Sequence, residues 1–558
     1  MTTSWRPGKV RAALARLLRE TFFHEALRPG QEEVIHSILQ RRSTLAIMPT
    51  GAGKSLCYQL PALHLPGTTI IVSPLISLMK DQAGKLAALG VQAFEVNSTL
   101  SASEESATLN AIASGKNDFV FTTPERMTDP AFIELLRKTR IDLFVIDEAH
   151  CISQWGHDFR PAYLSLGGTI RALGQPRVLA LTATATAEVA DDIRKQLGLP
   201  DMHVINTGVM RANLCYEVVH VVSDEQKLLH LARLLREVEG NGIVYCATVK
   251  DVAAITERLV DSGFDVVPYH GKLPKRERTE NQDRFTAGEP KAVIATNAFG
   301  MGIDKADIRF VVHYDFPANL ESYYQESGRA GRDGKPARCI LLYDIGDRRT
   351  QLFFMAGRYP RIEDIVCVHH ALQDLRASEA AVDLTRIQDA ASEVARSRVR
   401  IVLAMMKDLG LVTESRGARF RLLQATNDHR VQPFDNMLAH FEQKAESDKR
   451  KLERMMLYAQ TGRCRWKILL EYFGEKVDWE NCGHCDNCLC PVSILAEDAS
   501  QTATHEPENL SPRFRVGDKV RLARHGKGTI EQIEGEIVTI AFAQGETRRF
   551  HSDYVRKL

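Results

Sequence analysis

Between residues 40 and 345 the chain repeats one pattern, a short and nearly unbroken apolar run followed by an amphipathic stretch of helical length. In a first round the runs fall at 45–48, 69–73, 119–122, 141–146 and 178–182, and in a second at 243–246, 266–269, 292–295, 310–313 and 339–343. Runs without polar alternation predict strands buried on both faces, and the helical stretches supply the crossovers that parallel strands need. The expected fold class is α/β, built as two successive doubly wound domains. Such sheets collect ligand chemistry at the carboxyl ends of their strands.

After Asp344 the rhythm changes. An amphipathic helix is predicted around 361–375, a short one after Asp383-Leu384-Thr385, a longer one around 397–409, and then two short strands with Gly417 at the turn. Three helices and a hairpin describe a winged helix over 358–430, with Arg396, Arg398 and Arg400 near the start of its third helix, where they suit phosphate or groove contacts. A docking or spacer role is the competing reading. Helical periodicity returns at Phe441, Ala445, Leu452, Met455, Met456 and Ala459, beside the basic run Lys449-Arg450-Lys451, which is read as a solvated face or a phosphate contact. From 492 to 511 Ser, Thr, Glu, Asp and Pro predominate, as in a flexible linker. Short alternating strands then predict a small β-barrel over 512–558.

Two motifs follow strands of the first round. The run Ser43-Thr44-Leu45-Ala46-Ile47-Met48 leads into Pro49-Thr50-Gly51-Ala52-Gly53-Lys54-Ser55 and a helix. Two glycines let backbone N–H groups turn toward phosphates, Lys54 reaches the outer ones, and the Ser55 hydroxyl suits Mg²⁺. Met48 stands where the strict pattern has its first glycine. A tight turn before a helix is the bland alternative. The run 141–146 ends in Asp147-Glu148-Ala149-His150, so two carboxylates top a second buried strand. Asp147 is expected to complete the Mg²⁺ shell and Glu148 to orient the attacking water. A satisfied polar contact and a coupling role are equally open for His150.

The same backbone continues as Cys151-Ile152-Ser153-Gln154-Trp155-Gly156-His157-Asp158-Phe159-Arg160-Pro161, a loop of groups able to meet nucleic-acid bases. Base stacking on aromatic rings contributes about 1–3 kcal/mol per base, with core packing as the alternative for Trp155 and Phe159. In the second round, Ala295-Thr296-Asn297-Ala298-Phe299-Gly300-Met301-Gly302-Ile303-Asp304 precedes Gly328-Arg329-Ala330-Gly331-Arg332. Arg329 and Arg332, three apart on an expected helical turn, would point together at a triphosphate held by the facing domain. Such a finger typically contributes about 10³–10⁵ in rate.

Length and composition narrow the setting. A chain of 558 residues with 44% hydrophobic content fits three to five domains. The net charge is +1, so any affinity for DNA must come from local patches. Without a run of membrane-spanning length or an apolar signal segment, a cytoplasmic protein without a membrane partner is expected, nucleoid-associated if bacterial. Of eleven cysteines, Cys57, Cys215, Cys246, Cys339 and Cys367 read as buried thiols in a reducing compartment. Cys464, Cys482, Cys485 and Cys488 form C-x₁₇-C-x₂-C-x₂-C, suited to a tetrahedral Zn²⁺, with His484 and Cys490 as spare candidates.

These motifs together resemble the RecQ family of DNA helicases, superfamily 2 enzymes with two RecA-like domains, over about residues 20–345 and again over 441–490. Leu27-Arg28-Pro29-Gly30-Gln31 is similar to the family's adenine-recognition motif, Ser73 to Gln82 to its first DNA-contact motif, and Leu181 to Thr186 to its coupling motif. The resemblance implies that Gln31 reads the adenine and Arg28 packs near it, with Thr50, Gly51, Gly53, Lys54, Ser55 and Asp147 holding ATP and Mg²⁺. It implies DNA contacts at Ser77, Trp155, Phe159, Arg160, Thr182 and Thr296. It also implies 3′-to-5′ movement on single-stranded and tailed duplex DNA, in recombination or repair. One departure is Tyr245-Cys246-Ala247-Thr248-Val249, where the family often has polar and basic residues.

The expected organisation is a first RecA-like domain over 1–208 and a second over 209–345. A zinc module over 346–357 and 431–491 is split by the winged helix, which in the family normally follows the zinc. The C-terminal segment resembles the Tudor-like module of UvrD-type helicases, which implies contact with RNA polymerase or a repair protein. A DNA-stimulated remodeller without processive unwinding, and an ATPase-switched adaptor, are the alternative functions.

Overall fold

The computed structural model describes residues 7–114, 119–153, 155–156, 158–300, 305–356, 359–376, 381–408, 411–415, 419–423, 432–490, 514–522, 526–534, 537–542, 547–551 and 556–557. The chain divides into two compact units, Met1–Val492 and Ser493–Leu558.

Seven parallel strands form the first sheet: β1 (Thr44–Ile47), β2 (Thr68–Val72), β3 (Ala93–Val96), β4 (Phe119–Thr122), β5 (Ile141–Ile146), β6 (Val178–Thr182) and β7 (His203–Asn206). Their order is β3-β4-β2-β5-β6-β1-β7. Strands β1, β2, β4 and β6 are buried along their whole length, as their continuous apolar runs require. Because β6 lies between β1 and β5, the segments after Ile47, Ile146 and Thr182 emerge side by side, with neighbouring strands about 4.8 Å apart.

The second sheet has six parallel strands: β8 (Leu214–His220), β9 (Asn241–Tyr245), β10 (Val266–Tyr269), β11 (Ala292–Ala295), β12 (Ile308–His313) and β13 (Ala337–Tyr343). Their order is β10-β11-β9-β12-β13-β8. Two tandem RecA-like sheets are thus present. Three strands, β3, β7 and β8, were not expected from the sequence, and all three are sheet edges. An edge packs incompletely, so its apolar run is interrupted: β8 reads Leu-Cys-Tyr-Glu-Val-Val-His, with only Leu214 and Tyr216 fully buried.

The long Gln432–Gln460 helix and the Arg465–Tyr472 helix pack on the second sheet. Leu452, Met455 and Ala459 are buried there, while Phe441, Ala445 and Met456 are half-buried. Trp466, fully buried, donates its indole N–H to the Leu214 carbonyl at 3.1 Å and meets Tyr216 edge-on at 5.0 Å. Such an anchor, truncated to alanine, typically costs about 3–5 kcal/mol.

Between these elements, helices Ile362–Arg376, Leu384–Ala390 and Arg396–Asp408 surround a three-stranded antiparallel sheet. It comprises β14 (Val382–Asp383), β15 (Val412–Ser415) and β16 (Arg419–Leu422), in the order β14-β16-β15. Ile365, Val368, Val402, Met406, Val412 and Phe420 share its core. These elements occupy the segment where a winged helix is expected; Gly417 lies outside the described residues.

In the second unit, strands β17 (Lys519–Leu522), β18 (Gly526–Glu534), β19 (Ile537–Phe542), β20 (Thr547–His551) and β21 (Arg556–Lys557) form an antiparallel sheet around Phe514, Val520, Ile530 and Ile540. The expected linker, 492–511, lies outside the described residues. Among the described residues, no helix is long and apolar enough to cross a membrane.

Candidate functional site

The segment after β1 turns at Gly51 and Gly53, whose φ values of 80° and 75° fall in the left-handed region that glycine adopts without strain. Met48 has no positive φ and is fully buried, its N–H continuing the sheet to the Thr182 carbonyl at 3.0 Å. Met48 thus extends the strand ahead of the turn. Gln31 lies beneath the loop, donating to the carbonyls of Ala52 at 3.0 Å and Gly53 at 2.9 Å and accepting from the Arg28 N–H at 2.8 Å. Arg28 also donates to the Gly51 carbonyl.

A cleft of about 450 Å³ opens over this loop, within the roughly 300–1,000 Å³ usual for cofactor-sized ligands. Its walls gather Arg28, Gln31, Thr50, Gly51, Gly53, Lys54, Ser55, Asp147, Glu148, Arg329 and Arg332 from elements far apart in the chain. Burial pushes Lys54 below the ordinary lysine value, against the pull of Glu148 and Asp147. Burial and the charge of Glu148 push Asp147 up to about 7, against the pull of Lys54. Two crowded carboxylates and a buried ammonium are short of a cation and an anion respectively, and a divalent metal with a phosphate chain supplies both. Ser55 and Asp147 would hold the metal.

Glu148 adopts φ 49° and ψ 50°, a left-handed conformation unusual outside glycine. That turn sets its carboxylate 3.3 Å from Nδ1 of His150, which lies 3.1 Å from the Thr182 hydroxyl. His150 thus bridges the Glu148 carboxylate and the segment leaving β6. Thr182 was expected at DNA, but it is fully buried, and its hydroxyl also donates to the Thr184 carbonyl at 3.1 Å. Thr182 therefore sits buried beside His150 at the end of β6.

The two arginines do not share a helical turn. The Leu320–Ser327 helix stops before them, and Gly331 at φ 56° redirects the chain. Arg329 is buried and donates to the Gly300 carbonyl of its own domain. Arg332 leans across the cleft, its Cγ 3.3 Å from where a Cβ on Gly51 would stand. Both arginines line the cleft, in different local surroundings: Arg329 against Gly300 of its own domain and Arg332 beside Gly51.

The aromatic loop packs back on the first sheet. Arg160 donates to the Pro74 carbonyl at 3.0 Å and pairs with Asp158 at 3.2 Å, tying the loop to the segment preceding exposed Ser77. Trp155 and Phe159 are half-buried; Gln154, His157 and 301–304 lie outside the described residues. The long zinc-module helix crosses this loop. Lys451 donates to the Trp155 carbonyl at 2.7 Å and pairs with Glu321 of the second domain at 3.2 Å. Lys444 lies 4.6 Å above the Phe159 ring. The basic run was expected in solvent or at phosphate, and Lys451 instead joins three parts of the fold. Nothing in the sequence pairs it with Trp155, 296 positions away.

Thr296 is nearly buried, while its neighbour Asn297 is exposed. Arg398 pairs with Asp364 at 2.6 Å within the segment of helices around β14–β16, leaving Arg396 and Arg400 exposed on the same helix. Gln325 also lines the nucleotide cleft and went unassigned in the sequence, although it stands in the segment that carries both arginines.

The sulfurs of Cys464, Cys482, Cys485 and Cys488 all lie within 4.8 Å of one another. The pairs Cys482–Cys488 and Cys464–Cys485 are 3.9 and 4.0 Å apart. Sulfurs about 2.3 Å from a tetrahedral zinc stand roughly 3.8 Å apart, so the four fit that ion. Burial pushes the Cys482 thiol up to about 11, a cost that a bound cation would reverse. His150, Cys151 and Asp158 also lie within 4.8 Å, but His150 faces Thr182 and Asp158 is paired with Arg160, which marks loop packing.

Comparison with known proteins agrees with this geometry. Residues 28–193 match the DEAD/DEAH box helicase family, 226–334 the helicase conserved C-terminal domain and 427–489 the RecQ zinc-binding family. The ATP-dependent DNA helicase RecQ of Bacillus subtilis is 44% identical over 375 residues, covering 67% of this chain and 62% of that protein. RecQ of Pasteurella multocida is 42% identical, covering 59% and 52%. The chain thus spans less than two thirds of either RecQ protein. The probable ATP-dependent DNA helicase RecS of Bacillus subtilis is 37% identical over 483 residues, covering 85% of this chain and 92% of that protein. Among solved structures, Mycobacterium smegmatis helicase Lhr bound to ssDNA and AMP-PNP aligns with a TM-score of 0.51 at 20% identity, covering 74% of this chain and 61% of Lhr. The DUF1998 helicase MrfA bound to DNA aligns at 0.50 and 18%, covering 76% and 64%. Those two likenesses show the fold alone. Identity of 37% across nearly all of RecS, with helicase and RecQ zinc-binding matches following in order, makes this chain a member of the RecQ family of ATP-dependent DNA helicases.

Proposed function

We propose that the chain hydrolyses ATP to move 3′ to 5′ along single-stranded DNA and to separate tailed duplexes, in recombination or repair. The observation that carries this reading is the continuity of Glu148, His150 and the aromatic loop on one backbone, beside a cleft where Arg332 meets the phosphate loop. Lys54 and the turned backbone of Gly51 and Gly53 hold the phosphates. A divalent cation at Ser55 and Asp147, when bound, draws charge from the phosphate oxygens. Glu148 orients water in line with the bond to be broken, and Arg332 meets the charge that develops as the γ-phosphoryl group leaves ADP. A strand on Trp155 and Phe159 displaces the loop, and with it the Glu148–His150–Thr182 chain.

Zinc on the four cysteines serves the fold of the module that carries Lys451. The C-terminal barrel is proposed to be a Tudor-like contact for RNA polymerase or a repair protein; this rests on the sequence resemblance. The deciding experiment offers matched duplexes with a 3′ or a 5′ single-stranded tail, with ATP and Mg²⁺. Unwinding of the 3′-tailed duplex alone is expected. ATP hydrolysis stimulated by DNA without strand separation would replace the reading by a translocase or remodeller. Trp155→Ala should lower DNA-stimulated turnover more than basal turnover; equal losses would remove the loop from the coupling path.

A further inference from the structure

Arg211 stands in the connection between β7 and β8, outside every motif that suggested nucleotide chemistry. Its Nη1 donates to the Gly328 carbonyl at 2.8 Å and its Nη2 to the Gly331 carbonyl at 2.5 Å. These two peptides bracket the turn that leads to Arg332. Asn213 adds a donor to the Gly331 carbonyl and another to the Lys335 carbonyl, both at 2.8 Å. A Cβ on Gly331 would stand 2.5 Å from the Asn213 amide nitrogen, so the turn has no room for a side chain there.

The turn needs such holding. The Leu320–Ser327 helix has ended, and Gly331 at φ 56° removes the helical constraint that would otherwise aim Arg332. Arg211 also reaches across the domains: its Nη1 lies 3.7 Å from the Cβ position of Gly51, beside the Cγ of Arg332 at 3.3 Å. Both of its acceptors in the turn are neutral carbonyls, and a guanidinium presents donors in a fixed fork suited to gripping two of them.

We infer that Arg211 is a positioning residue for Arg332, fixing the finger turn against the phosphate loop so that the Arg332 guanidinium meets the transferring phosphoryl group. The inference rests on the ATPase reading above. It gives the interdomain connection a part in hydrolysis: the segment that joins the two sheets also sets the finger when they close.

The test uses the full chain and its Arg211→Ala, Arg211→Lys, Arg332→Ala and double Arg211→Ala/Arg332→Ala variants. Single-stranded DNA-stimulated ATP hydrolysis is followed in steady state and single turnover, with ADP affinity and thermal unfolding as controls. Arg211→Ala should lower kcat by up to about 10²-fold, the loss that misplacing a reacting group by about 1 Å can cause. The KM for ATP should stay within about twofold, since ground-state binding is untouched. Arg211→Lys, which keeps the charge and some donors, should recover part of the rate and remains informative if the alanine variant does not fold. The double variant should be no slower than Arg332→Ala alone, because a residue acting through Arg332 has nothing left to position. Losses that multiply in the double variant, or an unchanged kcat in Arg211→Ala, would overturn the inference, as would an Arg332→Ala variant with full activity. A wild-type chain that fails to hydrolyse ATP would instead overturn the functional reading on which it rests.

Discussion

Each RecA-like domain holds a lysine near two carboxylates, and the two lysines shift in opposite directions. In the second domain, fully buried Lys227 lies 3.0 Å from Asp315 and 2.8 Å from Asp347, and 5.0 Å above the Tyr314 ring. Burial works against its ammonium, yet Asp315 and Asp347 hold it above the usual lysine value. In the first domain, among the described residues, Lys54 reaches the Met48 carbonyl at 3.5 Å and has no ion pair within 4.0 Å to Asp147 or Glu148. Burial there wins and lowers it. The same three charges make a closed clamp in one place and an open cleft in the other, although in both burial and the neighbouring carboxylate push one aspartate, Asp147 or Asp347, up to about 7. Distance decides the direction of the lysine: one touching both carboxylates is held charged, while one held apart from them leaves space for a phosphate chain and a cation.

The comparison predicts a crossed outcome. Lys54→Met should reduce ATP turnover by about 10³-fold or more, yet leave thermal stability unchanged or raised, because it removes a buried, poorly paired ammonium. Calorimetry and an ATPase assay on one preparation check both halves; a marked fall in Tm would mean that Lys54 also holds the fold. Lys227→Met should do the reverse. Leaving Asp315 and Asp347 without their cation should cost roughly 3–5 kcal/mol in urea unfolding, while turnover per folded molecule persists. A Lys227→Met protein of wild-type stability would end the distinction.

Lys451 is the intermediate case and sharpens the contrast. It has one carboxylate partner, Glu321, and one carbonyl, Trp155, on two different domains. Lys451→Ala should therefore cost only roughly 1 kcal/mol of stability and lower DNA-stimulated hydrolysis several-fold with basal hydrolysis kept. An equal loss of basal and stimulated rates would assign Lys451 to general packing.

Read from sequence alone, this chain yields its parallel strands, its phosphate loop, its carboxylate pair and its cysteine array, because each is a local arrangement. A buried strand needs a continuous apolar run, as at Ile141–Ile146; a phosphate turn needs Gly51 and Gly53 next to Lys54; and two Cys-x₂-Cys steps sit on one short stretch. The edge strands β3, β7 and β8 escaped because an edge packs incompletely and its apolar run is broken by residues such as Glu95, His203 and Glu217. Arg329 and Arg332 look equivalent in sequence, and the left-handed Gly331 and the nearby Gly300 carbonyl set one against its own domain and the other beside Gly51. Thr182 turned out to be buried beside His150, and Arg211 and Lys451 acquired partners more than a hundred positions away. Local spacing records what a segment can do; which charges are satisfied, and across which boundary, is decided when the strands stack and the domains meet, since Coulomb and hydrogen-bond energies depend on distances that only the folded chain sets.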